Sequence, residues 1–514
     1  MGLRGMAGSR LLAPAAGLLA GLALPPFGAP PLLWLALALL WPLSTRPRPW
    51  LLGALWGLAA VLVSHRWLLG LHPLTWIGVP APLSLPLCLL LLLICGLAGA
   101  VLVGGWLALA AWLGPRSPWA AVALSGVWGL SEVLLAKGPL FWLGIGAAAL
   151  PGDRPLAALA SLGGAGGLAA VQLLIAWGLW RCCSPLAGQR WRPAAAAALL
   201  WVLVVLGLQG WGRALLAAQP LEQGPVQRVL VLQPAIPTRE KFSWPQQVRL
   251  RQLLDAALAE GAQRRVDVVL LPEGALGLDP VLERGAPVEL ISGGFRWQEV
   301  GGEPEQRSAL LRFPAGAIEP AAALDKHRVV PLGEWVPLAR LLRWSGLSAV
   351  GGVEPGPPSR LLPRPGGAVA GAICYELADG QALAVAARQG ASWLLASANL
   401  DPYPPMLQRQ FAALAQLRAM ESGRWLVSAA NTGPSLLVNP RGEVVAELPA
   451  GRAVTGVFSV PQLSGLTVYA RLGDGPLALL TAVAAVAAVR QGTRCPWTWS
   501  GAAGWGARRN SPSR

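Results

Sequence analysis

Three side chains of this sequence have types that together could carry acyl transfer: the thiol of Cys374, the carboxylate of Glu273 and the ammonium of Lys326. A cysteine nucleophile holds an acyl group as a thioester, a carboxylate takes the thiol proton, and an ammonium balances the oxyanion of the tetrahedral intermediate. Glu273 follows the apolar run Val268-Val269-Leu270-Leu271-Pro272, Lys326 lies in Leu324-Asp325-Lys326-His327-Arg328-Val329-Val330, and Cys374 closes Gly371-Ala372-Ile373. The other five cysteines, Cys88, Cys95, Cys182, Cys183 and Cys495, fall in or beside hydrophobic stretches or in the C-terminal tail. Cys374 is therefore unpaired in a segment that the charge pattern assigns to the oxidising side of a membrane, which points to a working nucleophile rather than a structural thiol.

The same residues have plain structural readings. Glu273 alone could cap a strand, Lys326 could be a surface charge beside Arg328, and Cys374 could be a small core residue, as most buried cysteines are. His327 offers a different base, since it is the only histidine outside the membrane-like part of the chain. Spacing does not decide among these, because the three residues lie far apart in sequence.

The elements that must position them are legible. Between residues 222 and 462, short β-branched runs at 226–233, 266–271, 368–373, 392–396 and 425–428 alternate with helical patterns at 246–260, 377–389 and 406–422. Apolar strands alternating with helices predict an α/β domain with a buried sheet. Residues just beyond the carboxyl ends of such strands converge on one crevice, and a thiol at a helix N-terminus has its thiolate favoured.

The rest of the chain is of another kind. Over 514 residues it is 54% hydrophobic and 13% charged, too apolar for a soluble enzyme. Apolar stretches at 11–24, 32–43, 51–69, 83–113, 119–136, 156–180 and 193–211 predict seven membrane spans, and 476–489 an eighth. Arg4 and Arg10 precede the first, but no small-residue cleavage site follows, so it reads as a retained span rather than a signal peptide. The net charge of +16 comes from arginines scattered over short loops and the tail, with no basic helix, so it argues for membrane orientation and against nucleic acid. Arg46, Arg48, Arg116, Arg181, Arg190, Arg192 and the tail arginines fall on one side, with only Arg66, Lys137 and Arg154 in the opposite short loops. Both termini are thus expected in the cytoplasm and the α/β domain outside, with a membrane domain at 1–215, the α/β domain at 222–462, a closing span at 466–490 and a tail at 491–514. The glycine-rich run 163–167 reads as a helix-packing surface. No nucleotide fingerprint or metal-ligand spacing is present.

The strand ending Leu271-Pro272-Glu273-Gly274, the stretch from Asp325 through Val330-Pro331-Leu332-Gly333-Glu334-Trp335, and Gly371-Ala372-Ile373-Cys374-Tyr375-Glu376 resemble the Glu, Lys and Cys motifs of the nitrilase superfamily. With the surrounding spans they resemble the apolipoprotein N-acyltransferases. That resemblance continues through Arg418-Ala419-Met420-Glu421 and Asn431-Thr432-Gly433 and covers nearly the whole chain. It implies about eight membrane helices plus an extracytoplasmic α-β-β-α sandwich. It also implies Glu273 as general base, Lys326 as oxyanion stabiliser and Cys374 as nucleophile. Glu334, Tyr375 and Glu376 become supporting residues, with Phe242 or Trp244, Trp335 and Asn399 near the substrate.

The implied reaction moves an acyl chain from a glycerophospholipid to a diacylglyceryl apolipoprotein in the bacterial inner membrane. It needs no cofactor or metal, because the thioester carries the activation. A membrane-tethered amidase using the same trio on a small amide is the alternative, and an inactive scaffold a third reading. Two departures concern the substrate: Asn399-Leu400-Asp401-Pro402-Tyr403 stands where the family shows Asn followed by Trp-Phe-Gly, and Ala235 stands where it shows Asn.

Overall fold

Proline starts and apolar runs set the helices of the first 218 residues. The computed structural model describes residues 3–77, 79–183, 191–240, 243–330, 334 and 352–494. In that part lie α1 (Leu3–Ala23), α2 (Pro30–Leu40), α3 (Pro49–Ser64), α4 (Ala81–Leu113), α5 (Pro118–Ala136), the short α6 (Arg154–Ala157), α7 (Ala160–Cys183) and α8 (Trp191–Ala218). Proline opens α2, α3 and α5, where its missing N–H costs nothing. Among the described residues, α4, α5, α7 and α8 are long and apolar enough to cross a membrane, with shorter apolar helices at Gly8–Ala23, Pro30–Thr45, Pro49–Ser64 and Gly475–Gln491. These eight fall on the eight stretches expected from hydropathy.

Small residues let the helices close on one another. A Cβ on Gly57 of α3 would lie 2.2 Å from the Gly99 carbonyl of α4, and one on Gly129 of α5 would lie 2.2 Å from the Gly166 carbonyl of α7. Of the 163–167 glycines, Gly166 does pack against a neighbouring helix while Gly163 and Gly167 face open space, and the stretch expected as a single helix at 156–180 is divided. It begins as α6 and then breaks inside α7 at Gly164 (φ 66°, ψ −171°).

The second region holds two six-stranded mixed sheets where the strand pattern gave one buried sheet. The strands are β1 (Val226–Gln233), β2 (Val268–Leu270), β3 (Glu289–Val300), β4 (Glu303–Phe313), β5 (Ala322–Asp325), β6 (Leu361–Leu362), β7 (Val369–Ile373), β8 (Trp393–Ala398), β9 (Leu426–Ala430), β10 (Leu436–Val438), β11 (Val444–Glu447) and β12 (Val454–Pro461). One sheet runs β12-β1-β2-β3-β4-β5 and the other β11-β10-β9-β8-β7-β6. β1, β2 and β3 are mutually parallel, as are β7, β8 and β9, and antiparallel strands flank both sets. The β3–β4 hairpin escaped the sequence pattern because its outer half is charged and exposed and gives no apolar alternation.

The inner faces of the two sheets interlock where side chains are smallest. A Cβ on Gly371 of β7 would lie 2.5 Å from Leu324 and 2.8 Å from Leu310 of the facing sheet. The outer face of the first sheet packs under α9 (Trp244–Gln263) through Leu230, Leu232, Leu254 and Leu258. The second is covered by α10 (Gly380–Arg388) and α11 (Pro405–Ser422). The layering is therefore α-β-β-α. After α12 (Val468–Leu472), α13 (Gly475–Arg494) returns to pack on α5, where Thr481 faces Gly126.

Candidate active site

Each of the three chemical residues leaves a strand of a different register. Glu273 sits in the turn after β2, and the β3 strand passes so close beneath it that a Cβ on Gly293 would lie 2.4 Å from the Glu273 Cα. Lys326 directly follows β5, its amide donating to the Ser308 carbonyl at 2.7 Å. Cys374 follows β7 with φ 53°, a left-handed conformation that few non-glycine residues adopt. The strand thus ends in a sharp elbow, and strain of this sort is found where a side chain must be presented to a site.

The side chains meet in a buried cluster. Lys326 is 1% exposed, and its Nζ donates to Glu273 Oε1 at 2.6 Å and to Glu334 Oε1 at 2.8 Å. Burial pulls the ammonium down, but Glu273, Glu334 and the nearby Cys374 outweigh it and hold the lysine well above its ordinary value. Burial pushes the Cys374 thiol well above its ordinary range, the Glu273 and Glu334 carboxylates push it the same way, and Lys326 opposes them. This corrects the expectation of a favoured thiolate. Cys374–Ala378 form a 3-10 turn, and α10 starts only at Gly380, so the expected helix at 377–389 does not begin at the thiol. At rest the Cys374 side chain is therefore a protonated thiol.

Glu334 holds the lysine from the far side, with Oε2 accepting from the Val330 amide at 2.9 Å. Its carboxyl lies above the usual glutamate range, because burial and Glu273 outweigh the pull of Lys326. Asn399 acts through its backbone: its amide donates to Glu273 Oε2 at 3.0 Å, while its side chain donates to Thr238 Oγ1 at 3.0 Å and accepts from Asn431 Nδ2 at 2.9 Å. Both Glu273 oxygens are therefore held by charge or amide hydrogen.

Glu376 is a structural hub. Its carboxylate takes Arg360 Nη1 at 2.7 Å on both oxygens, the His327 amide at 2.7 Å and the Ile373 amide at 2.9 Å. It thereby ties the cysteine elbow to the lysine loop. Arg360, whose Nη2 also reaches the Asp325 carbonyl at 2.8 Å, was missed by the sequence reading, since an arginine in a proline-rich loop carries no local signal. His327 faces the Gly356 carbonyl with Nδ1 at 2.7 Å.

Tyr375 is buried against Phe141 of the N-terminal region, ring centroids 5.5 Å apart, and Tyr403 meets Trp67 at 5.8 Å. Trp244 opens α9 with its ring largely exposed. Phe242 and Trp335 lie outside the described residues.

The sequence model described as carbon-nitrogen hydrolase matches residues 326–461, and that of the apolipoprotein N-acyltransferase N-terminal domain matches 16–178. A protein of Prochlorococcus marinus (strain MIT 9313) named apolipoprotein N-acyltransferase is 48% identical over 476 residues, covering 90% of this chain and 92% of its own. The chain belongs to the apolipoprotein N-acyltransferase family. A second family member, from Parasynechococcus marenigrum (strain WH8102), is 47% identical across 89% of this chain and 95% of its own. Among solved structures, Nit3 of Saccharomyces cerevisiae, a nitrilase-superfamily member, is similar at 16% identity and a TM-score of 0.36, over 48% of this chain and 93% of that one. Family membership joins the two halves of the molecule, an apolar helical region and a nitrilase-like α/β domain.

Proposed function

We propose that the chain transfers a fatty acyl group from a glycerophospholipid, through a thioester on Cys374, to the α-amino group of an S-diacylglyceryl cysteine at the start of an apolipoprotein. In the first half-reaction Glu273 takes the thiol proton while sulfur forms a bond to the ester carbonyl carbon. The tetrahedral intermediate collapses by breaking the carbon–oxygen bond, and the leaving lysophospholipid oxygen takes the proton from Glu273. In the second, the amine nitrogen bonds to the thioester carbon, Glu273 takes its proton, the carbon–sulfur bond breaks and the thiolate recovers the proton.

Lys326 makes this exchange inexpensive. With two carboxylates around one ammonium, the cluster carries one net negative charge at rest. It carries the same charge when Glu273 is protonated and the oxyanion has formed. Charge moves past a fixed ammonium, with no new charge created in a buried site.

The single observation that carries this reading is the seam between the segment of the nucleophile and the connections that join the apolar helices, Phe141 lying after α5 and Trp67 in the 3-10 turn after α3. The residue after Cys374 packs on Phe141, and Tyr403 packs on Trp67. A small-amide hydrolase has no use for a nucleophile packed on the connections between apolar helices; an enzyme whose donor is a lipid does. The arginine distribution supports a periplasmic domain on a bacterial inner membrane with both termini inside. The test is incubation of the purified protein with phospholipid followed by intact-mass and peptide analysis. A long-chain acyl mass on Cys374, lost with hydroxylamine and absent in Cys374→Ser, is expected. Turnover of small amides with no acyl mass from phospholipid would overturn the reading.

A further inference from the structure

Behind the nucleophile elbow a buried glutamate is one of the points at which the α/β domain grips the apolar helical region. The break at Gly164 turns the Ala165 amide out of the helix ladder of α7, and that amide donates to Glu421 Oε1 of α11 at 2.6 Å. Only glycine fits the break, because φ is 66° and a Cβ would lie 2.4 Å from the Tyr469 ring. Glu421 therefore caps the longer part of α7 from the other domain, where the helix dipole favours a carboxylate. Its second oxygen accepts from Arg418 Nη1 at 2.6 Å, both side chains being almost fully buried. Gly380, the first residue of α10, lies directly on this pair: a Cβ there would be 1.6 Å from Arg418 Nη1 and 2.1 Å from Glu421 Oε2. From Gly380 the chain leads back through Asp379, which caps α10, to the 3-10 turn that begins at Cys374.

We propose that Glu421 is a positioning residue for acyl transfer: by capping the broken helix and holding Arg418 against Gly380, it fixes the segment on which the Cys374 elbow rests. The proposal builds on the acyl-transfer reading above. It requires an ionised carboxylate, since a neutral acid gives up the ion pair with Arg418. The groups facing Glu421 are Arg418 on its own helix, Asp379 before α10, Tyr469 of α12 and Asp474 before α13; Lys137 after α5 faces Asp474. Burial raises the Glu421 carboxyl to about 7, Asp474 and Asp379 adding to the rise while Arg418 and the Ala165 amide oppose it.

This gives opposite signs for turnover and stability. Between the ordinary glutamate value of 4.5 and about 7 the folded protein holds a proton that the unfolded chain does not. The contribution of Glu421 to stability thus grows as pH falls through that window, while turnover is lost. A merely structural role would make activity follow stability.

The test uses the full chain in phospholipid–detergent micelles, measuring thioester formation at Cys374 against pH. A small activated ester serves as a second probe that reports Cys374 turnover whatever the natural donor. Wild type should show an acidic limb centred at about 7 on both probes, with thermal stability rising over the same interval. Glu421→Gln should lower the alkaline plateau of kcat about tenfold, leave KM within about twofold and lose the limb. Glu421→Asp should keep a displaced limb and regain part of the plateau. A wild-type plateau in Glu421→Gln, or an unmoved limb in Glu421→Gln or Glu421→Asp, overturns the proposal; should Glu421→Gln not fold, Glu421→Asp decides alone. Loss of acylation by phospholipid alone, with the ester profile intact, would overturn the lipid donor and leave the positioning role standing.

Discussion

The thiol of Cys374 sits among one ammonium and two carboxylates, and the signs of their influence can be separated by substitution. Glu273 raises the thiol and Lys326 lowers it. In Glu273→Gln the midpoint of the pH profile for alkylation by iodoacetamide should therefore move down, and in Lys326→Met it should move up. Both variants should acylate at least about a hundredfold more slowly, the scale of losing a general base or an oxyanion donor. Alkylation rates against pH, set beside thioester formation, check both points; shifts of the same sign would place the carboxylate or the lysine away from the sulfur. Ease of alkylation and catalytic rate should thus part company in Glu273→Gln, because a more acidic thiol without a base still lacks a route for the amine proton.

At the scale of elements, the strand ends are what converge. The β2 turn supplies Glu273, the β5 exit Lys326, the β7 elbow Cys374 and the β8 exit Asn399, so both sheets contribute to one crevice at the carboxyl ends of their strands. After β1 the chain crosses to the second sheet, where the Ala235 amide donates to the Asn431 carbonyl at 2.8 Å. Ala235 does so with φ 50°, a conformation asparagine tolerates better than alanine. This gives a physical meaning to a departure that the sequence reading assigned to substrate contact. Ala235→Gly should raise stability by up to about 1 kcal/mol, where the same change in regular structure lowers it. Thermal unfolding of the two proteins in detergent measures the sign, and a destabilised variant would show that the alanine Cβ packs usefully.

For the whole molecule, the mechanism needs the crevice on the side where exported lipoproteins arrive and near enough to the bilayer for an acyl chain to reach it. Cys374 is itself buried and a poor reporter of sidedness. Exposed Glu303 at the β3–β4 turn is a better one. In intact spheroplasts a membrane-impermeant maleimide should label Glu303→Cys at once, and should label the exposed Cys183 at the end of α7 only after permeabilisation. The reverse pattern would invert the topology and remove the proposed acceptor from reach.

Much of this was legible in residue order. Hydropathy located all eight apolar helices, because burying apolar surface in lipid demands long uninterrupted runs. Strands β1, β2, β7, β8 and β9 showed as β-branched runs because both faces of each are covered, and Glu273 and Cys374 showed because each follows such a run, whereas Lys326 showed only through the motif around it. What sequence could not determine was everything set by contact at a distance. The charged β3–β4 hairpin, the grip of Arg360 on Glu376 and the capping of α7 by Glu421 all join residues whose local patterns say nothing of one another, while the division into two sheets was legible only through the family resemblance and not through the strand pattern. The ionisation of Cys374 belongs to this second group: a position near a helix start favours the thiolate, but burial beside Glu273 and Glu334 outweighs it, and burial exists only in the folded molecule.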